Sequence, residues 1–147
     1  MEQSLLKELL AQNIQSCSYA FHAITEENCS CRLNENTASV GFIFRHVGET
    51  MLRFGYFFGI PTDTTNTTMG QQDTGQGKDL GTSRELLAKG YALLEQIITS
   101  TPDAAWYDPV ETPFFGTVSK ARLFSRILFH NSYHAGQIAL TIKRASE

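Results

Sequence analysis

The chain has 147 residues, 41% hydrophobic and 18% charged, with a formal net charge of −3, which predicts one globular domain over residues 1–147. This charge, with no basic block, argues against proteins that bind nucleic acid or an anionic membrane surface. The first residues lack the features of a signal peptide and no apolar run reaches transmembrane length, so we expect a cytoplasmic protein.

Three cysteines, Cys17, Cys29 and Cys31, are expected to be reduced, because an odd number fits no disulfide framework. The Cys29-x-Cys31 pair could bind a soft metal. Metal motifs usually leave two to four residues between cysteine ligands, however, and the sequence has no second pair. We therefore expect no cysteine site.

The first helical pattern runs from about Ser4 to Thr25. Its apolar positions repeat every three or four residues: Leu6, Leu10, Ile14, Cys17, Phe21 and Ile24. His22 lies beside this stripe and has no partner at helical spacing, so a partly exposed or locally bonded histidine is preferred to a metal ligand. The polar run 26–36 predicts a loop.

A second helix is predicted from the N-cap Ser39 to Phe58, ended by Gly59-Ile-Pro61. It carries apolar residues nearly all round, which predicts that most of its surface is covered. It also carries His46, on the side of the helix that we expect to face the bundle interior.

Gly41, Gly48 and Gly55 recur at heptad spacing in this helix, and each costs about 1 kcal/mol relative to alanine. They lie roughly 140–200° around the helix from His46. If His46 faces inward, the glycines face away, and a closely packed second subunit is the favoured cover. The alternatives are another helix of the same chain, or glycines that are merely tolerated.

Residues 62–81 are rich in Thr, Gly and Gln, and could cover a site as a lid or simply be slack between helices. Thr82-Ser-Arg-Glu85 predicts a capping box for a third helix, which Thr101-Pro102 ends. The aromatic, proline-rich segment 103–116 is expected to plug one end of the core.

A fourth helix, capped by Thr117 or Ser119 and extending to about Ala145, carries His130 and His134. Residues four apart project the same way, so both imidazoles lie on the apolar stripe of this helix. A pair of neutral core histidines is the simple alternative to a metal site. Four helical patterns without credible alternating strands predict an all-α four-helix bundle, in which the long third connection permits a crossover.

Three histidines, His46, His130 and His134, thus have predicted inward positions on two helices. Three neutral imidazoles with open coordination positions suit a catalytic divalent metal site. Imidazole accepts Zn, Ni, Fe or Cu, so the ligand type does not choose among them. A di-iron site would need two Glu-x-x-His motifs, which are absent, so a mononuclear site is expected.

Two segments resemble the DinB/YfiT-like metalloenzymes, which are four-helix bundles with a three-histidine site. Ser39-Val-Gly-Phe-Ile-Phe-Arg-His46 is similar to the family's capped second helix with a histidine seven residues later. His130-Asn-Ser-Tyr-His134-Ala-Gly-Gln-Ile138 is similar to its H-x-x-x-H motif followed by a Gly-Gln-Ile segment. The family frequently has arginine where Ala135 stands, a departure that touches no ligand.

The resemblance implies a bundle with a crossover, often a homodimer, that binds Ni, Zn or a similar divalent ion through His46, His130 and His134. It further implies a transferase or isomerase that acts on a small-molecule substrate with a low-molecular-weight thiol. Two alternatives stay open. One is a metal-dependent hydrolase of a small molecule, and the other is a non-enzymatic stress-associated protein whose metal is structural or vestigial.

Other residues near the three histidines have weaker interpretations. Glu49 could orient a ligand or act as a base, although an exposed helical glutamate is preferred. Gln137 could hydrogen-bond near the site. Arg53 and Arg126 share helix faces with His46 and His130 and could receive a substrate carboxylate, although a surface role is preferred for both.

Overall fold

The computed structural model describes residues 1–145, so the last two residues of the predicted domain lie outside the described residues. Four long helices confirm the predicted bundle: α1 (Glu2–His22), α2 (Val40–Phe54), α3 (Leu80–Ser100) and α4 (Lys120–Ala145). A 3-10 turn, Gly55–Phe58, extends α2, and two more lie at Gln76–Lys78 and Asp103–Tyr107. None of the helices described is long and apolar enough to cross a membrane.

The helix starts follow from side-chain capping. Ser39 accepts a hydrogen bond from the N–H of Phe42 (3.3 Å), as predicted, and Ser119 accepts one from the N–H of Arg122 (3.1 Å). The predicted capping box at Thr82 was wrong. Asp79 caps α3 instead, accepting from the N–H of Thr82 (3.1 Å), because a carboxylate also interacts favourably with the helix dipole.

The predicted crossover is present, since α2 and α3 run parallel. Gly41 near the start of α2 packs against Gly77 just before α3, whereas Gly55 at the end of α2 packs against Leu93 well along α3. Segment 59–79 therefore returns along the length of the bundle. α4 runs antiparallel to α2, with Thr141 beside Ile43 in one cavity.

The glycine row of α2 is covered by the same chain, which corrects the predicted cover by a second subunit. A side chain at Gly41 would meet the backbone of Gly77, one at Gly48 the backbone of Leu86, and one at Gly55 the carbonyl of Ile60. The glycines allow α3 and the crossover segment to approach α2 closely. A homodimer stays a prediction, but this row no longer supports it.

A small β-hairpin corrects the expectation that the chain has no strands. β1 (Pro109–Thr112) pairs antiparallel with β2 (Gly116–Ser119). Strands of four residues are too short for an alternation of polar and apolar residues to be recognised in the sequence. Gly116 supplies the positive φ (66°) at the turn between the two strands. The expected plug is present only in part: Trp106 is fully buried with its ring 5.5 Å from that of Phe124, whereas Tyr107 and Phe114 are exposed.

The buried face of α1 differs from its predicted apolar stripe, whereas that of α2 agrees with the prediction. On α1, Ile14 is 37% exposed and Asn13 is buried instead, where its amide donates to the carbonyl of Leu128 (2.9 Å) and to Ser132 (3.0 Å). On α2, thirteen of the fifteen residues are buried, which confirms that the helix is covered on most sides.

Candidate metal centre

The antiparallel packing of α2 and α4 brings His46, His130 and His134 together. Nε2 of His130 lies 3.0 Å from Nε2 of His46 and 3.1 Å from Nε2 of His134. Ligands about 2.0–2.1 Å from one ion would be about 2.9 Å apart at right angles and about 3.3 Å apart in a tetrahedron. These two separations fit ligands of a single ion, and one ligand atom from each of the three histidines lies within 4.8 Å of the others.

The hydrogen bonds of the outer ring nitrogens fix two of the tautomers. The hydroxyl of Thr68 donates its proton to Glu49 (2.7 Å), so it accepts from Nδ1–H of His46 (3.1 Å). The carbonyl oxygen of Gln137 accepts from Nδ1–H of His134 (2.7 Å). The Nε2 atoms of His46 and His134 consequently present lone pairs to the centre.

Both lone pairs point at Nε2 of His130, from 3.0 and 3.1 Å. One N–H on that nitrogen can align with only one of them, so the rings alone leave a lone pair uncompensated. A cation at the centre would instead accept a lone pair from the Nε2 atom of each of the three histidines. The set of donors therefore fits a transition-metal ion better than a hydrogen-bonded trio of histidines.

Burial keeps the three rings neutral, as ligands must be. Burial, followed by the charge of His134, lowers the pKa of His46 to about 4. Burial and the neighbouring histidines lower the pKa of His130 to about 3. Burial also lowers the pKa of His134, although the hydrogen bond to Gln137 opposes the shift.

The buried carboxylate of Glu49 corrects the preferred interpretation of this residue as exposed. It is 2% exposed and accepts hydrogen bonds from the backbone N–H of Thr67 (3.1 Å) and the hydroxyls of Thr67 (2.5 Å) and Thr68 (2.7 Å). Thr68 connects it to His46. Glu49 thus orients a ring through Thr68 and does not face an open site.

The crossover segment belongs to the site. Thr68, Met69 and Gly70 form one wall of a cavity of about 400 Å³ beside His46 and His134. Its other lining residues are mainly apolar, and none carries a formal charge: Leu33, Thr37, Ala38, Phe42, Ile43, Gln137, Leu140 and Thr141. A small molecule in this cavity would lie against two of the three rings.

Comparison with known protein families shows to which family the chain belongs. The sequence model of the DinB superfamily matches residues 9–138. The chain belongs to the DinB superfamily. The matched range includes His46, His130 and His134, in agreement with the resemblance seen in the sequence. A direct comparison with curated protein sequences finds no match.

The other candidate ligands of this DinB-superfamily chain lie outside the centre. His22 is exposed, as predicted. Cys29 is buried and Cys31 is half-buried, and both are free thiols. Among residues 1–145, the only group of three or more potential ligands within mutual reach is the histidine trio.

The structure brings together the three histidines and places Gln137 beside His134, as the sequence predicted, but Thr68, which contacts His46, was not predicted. Thr68 lies in a polar segment without periodicity, so no spacing placed it near a helix. Gln137 was detectable because it lies three residues after His134 on a helix. In this DinB-superfamily protein the missed partner came from the crossover segment.

Proposed function

We propose that the protein is a metal-dependent enzyme that transfers a low-molecular-weight thiol to a small electrophile, or isomerises a substrate with such a thiol. His46, His130 and His134 would hold one divalent ion, with Ni or Zn preferred. The observation that carries the proposal is the convergence of three Nε2 atoms next to a cavity large enough for a small molecule.

Held by the three neutral imidazoles of His46, His130 and His134, a divalent ion would keep its positive charge and would favour ionisation of a bound thiol near neutral pH. In the transfer, the thiol sulfur forms a bond to an electrophilic carbon. The leaving group departs with the bonding electron pair, and the thiol proton goes to solvent. Thr68 and Gln137 hold the rings of His46 and His134 in place, and the cavity beside these rings has mainly apolar walls.

The surroundings of the centre favour the transferase over the hydrolase. Hydrolysis benefits from a general base that positions water, and no residue lining the cavity is a carboxylate. Both oxygens of Glu49 already accept hydrogen bonds from threonines. Thiol transfer needs no such base once the thiol is ionised. The open cavity also favours an enzyme over a protein with a closed, structural metal site.

The proposal is tested by assaying zinc- or nickel-loaded protein with a small thiol and an activated aryl halide. We expect conjugation above the uncatalysed rate that requires both metal and protein. His130→Ala should lose bound metal and activity, whereas His22→Ala, which changes an exposed histidine outside the centre, should keep both. Metal-loaded protein without thiol-dependent turnover across several classes of electrophile would contradict the transferase function.

A further inference from the structure

A second cavity, of about 360 Å³, lies beside His130, one of the three histidines of the centre. It shares no lining residue with the cavity beside His46 and His134. His130 lines it together with Thr50, whose hydroxyl lies 3.5 Å from Nδ1 of His46. Aromatic rings, including those of Phe115 and Tyr133, line the rest. The three histidines therefore line two separate cavities, His46 and His134 the first and His130 the second.

The second cavity contains one formally charged side chain, Arg126, and the first contains none. The guanidinium stacks on Phe115, with its central carbon 3.5 Å from the ring centroid. Stacking uses the face of the guanidinium and leaves its in-plane N–H groups available to an anion. Within residues 1–145, no carboxylate lies within salt-bridge distance of Arg126.

Arg126 lies one helical turn before His130 on α4, which places the two residues about 6 Å apart along the helix axis. Because Arg126 and His130 line the same cavity, one small molecule in it can contact both side chains.

We infer that the second cavity is the thiol subsite and that Arg126 selects thiols that carry a carboxylate about one helical turn from the sulfur. This inference rests on the proposed function. The first cavity, which has no charged side chain, is left for the uncharged electrophile. The two substrates then approach the same centre through different cavities, and neither has to leave before the other enters.

Cobalt-substituted protein tests the subsite without turnover, because a thiolate that coordinates Co²⁺ produces a charge-transfer absorption band in the near ultraviolet. We would titrate 3-mercaptopropionate against its neutral isostere 3-mercaptopropionamide. Wild-type protein, Arg126→Gln and Arg126→Lys would be compared. Arg53→Gln is the matched control, because Arg53 is also an exposed arginine on the face of a ligand helix but lines neither cavity at the centre.

We expect wild-type protein to bind the acid about tenfold or more tightly than the amide, as for a hydrogen bond to a charged group. Arg126→Gln should abolish that preference and leave the Kd of the amide unchanged. Arg126→Lys should keep part of the preference for the acid, and Arg53→Gln should keep all of that preference. The cobalt d–d spectrum checks that each variant retains an intact centre.

Equal binding of acid and amide by wild-type protein, or an acid preference that survives Arg126→Gln, would overturn the subsite while leaving thiol chemistry in place. A cobalt-loaded protein on which neither thiol produces the charge-transfer band would overturn both the proposed function and this inference.

Discussion

A hydrogen bond to Nδ1–H of a histidine fixes the tautomer in which Nε2 carries the lone pair that binds a metal. The structure supplies such a partner for two of the three histidines. Gln137 bonds His134 from the same helix, one turn away. Thr68 bonds His46 from the crossover segment and is itself oriented by the buried Glu49. The chain Glu49–Thr68–His46 thus couples the position of that segment to the orientation of a ring at the centre.

Thr68→Val removes the hydroxyl that fixes the tautomer of His46, so we expect metal affinity to fall about 10–100-fold. Thr68→Ser keeps the hydroxyl and should bind metal as wild-type protein does. Thr67→Val is the matched control, because Thr67 also donates to Glu49 but does not contact His46. Competition with a chromophoric chelator measures the affinity. An equal loss in Thr67→Val and Thr68→Val would contradict the role of Thr68 and indicate a general effect on the segment.

At the scale of elements, the close approach of α3 to α2 depends on small residues where the helices touch. Gly48 lies against the backbone of Leu86 and Leu87, and Gly90 of α3 lies against Met51. Because backbone cannot move aside as a flexible side chain can, Gly48 tolerates no added atom without displacement of a helix. The glycine row of α2 thus allows α3 to pack closely against α2 and parallel to it.

Gly48→Ala should destabilise the protein even though alanine is the better helix former. A Cβ at this position would lie 2.9 Å from backbone atoms of Leu86 and Leu87, and overpacking costs about 1–3 kcal/mol against a gain of about 1 kcal/mol in helix propensity. Urea denaturation measures the difference in the free energy of unfolding.

Gly136→Ala provides the control, since a Cβ there meets nothing within 4 Å. It should stabilise α4 by about 0.5–1 kcal/mol. If Gly48→Ala stabilised the protein as much as Gly136→Ala, the contact between α2 and α3 along the glycine row would be contradicted.

At the scale of the whole molecule, the fold was largely predictable because four amphipathic patterns and their breaks are local signals. The histidines stood out for the same reason, since His130 and His134 occupy positions on a stripe where an apolar residue is normal. The partners of Gly48 and Glu49 were not predictable. They lie at least eighteen residues away, on α3 and on an aperiodic segment, and only tertiary packing brings them together.

The bundle also explains why the centre forms where it does. α2 and α4 are separated in sequence by α3 and the hairpin, yet the crossover places them side by side and antiparallel, so that a ring from one helix meets two from the other. A metal ion at this point would link the two helices. Its affinity therefore adds to the stability of the folded state.

X-ray absorption of zinc-loaded protein tests this centre most directly, together with metal analysis of wild-type protein and the His46→Ala variant. We predict one ion per chain, with imidazole nitrogens from three histidines at about 2.0–2.1 Å and at least one further, exchangeable ligand such as water. His46→Ala should lose one of these nitrogens and bind zinc much more weakly while remaining helical. Zinc bound equally well by wild-type protein and His46→Ala, or a spectrum without three imidazole ligands, would contradict the centre described above.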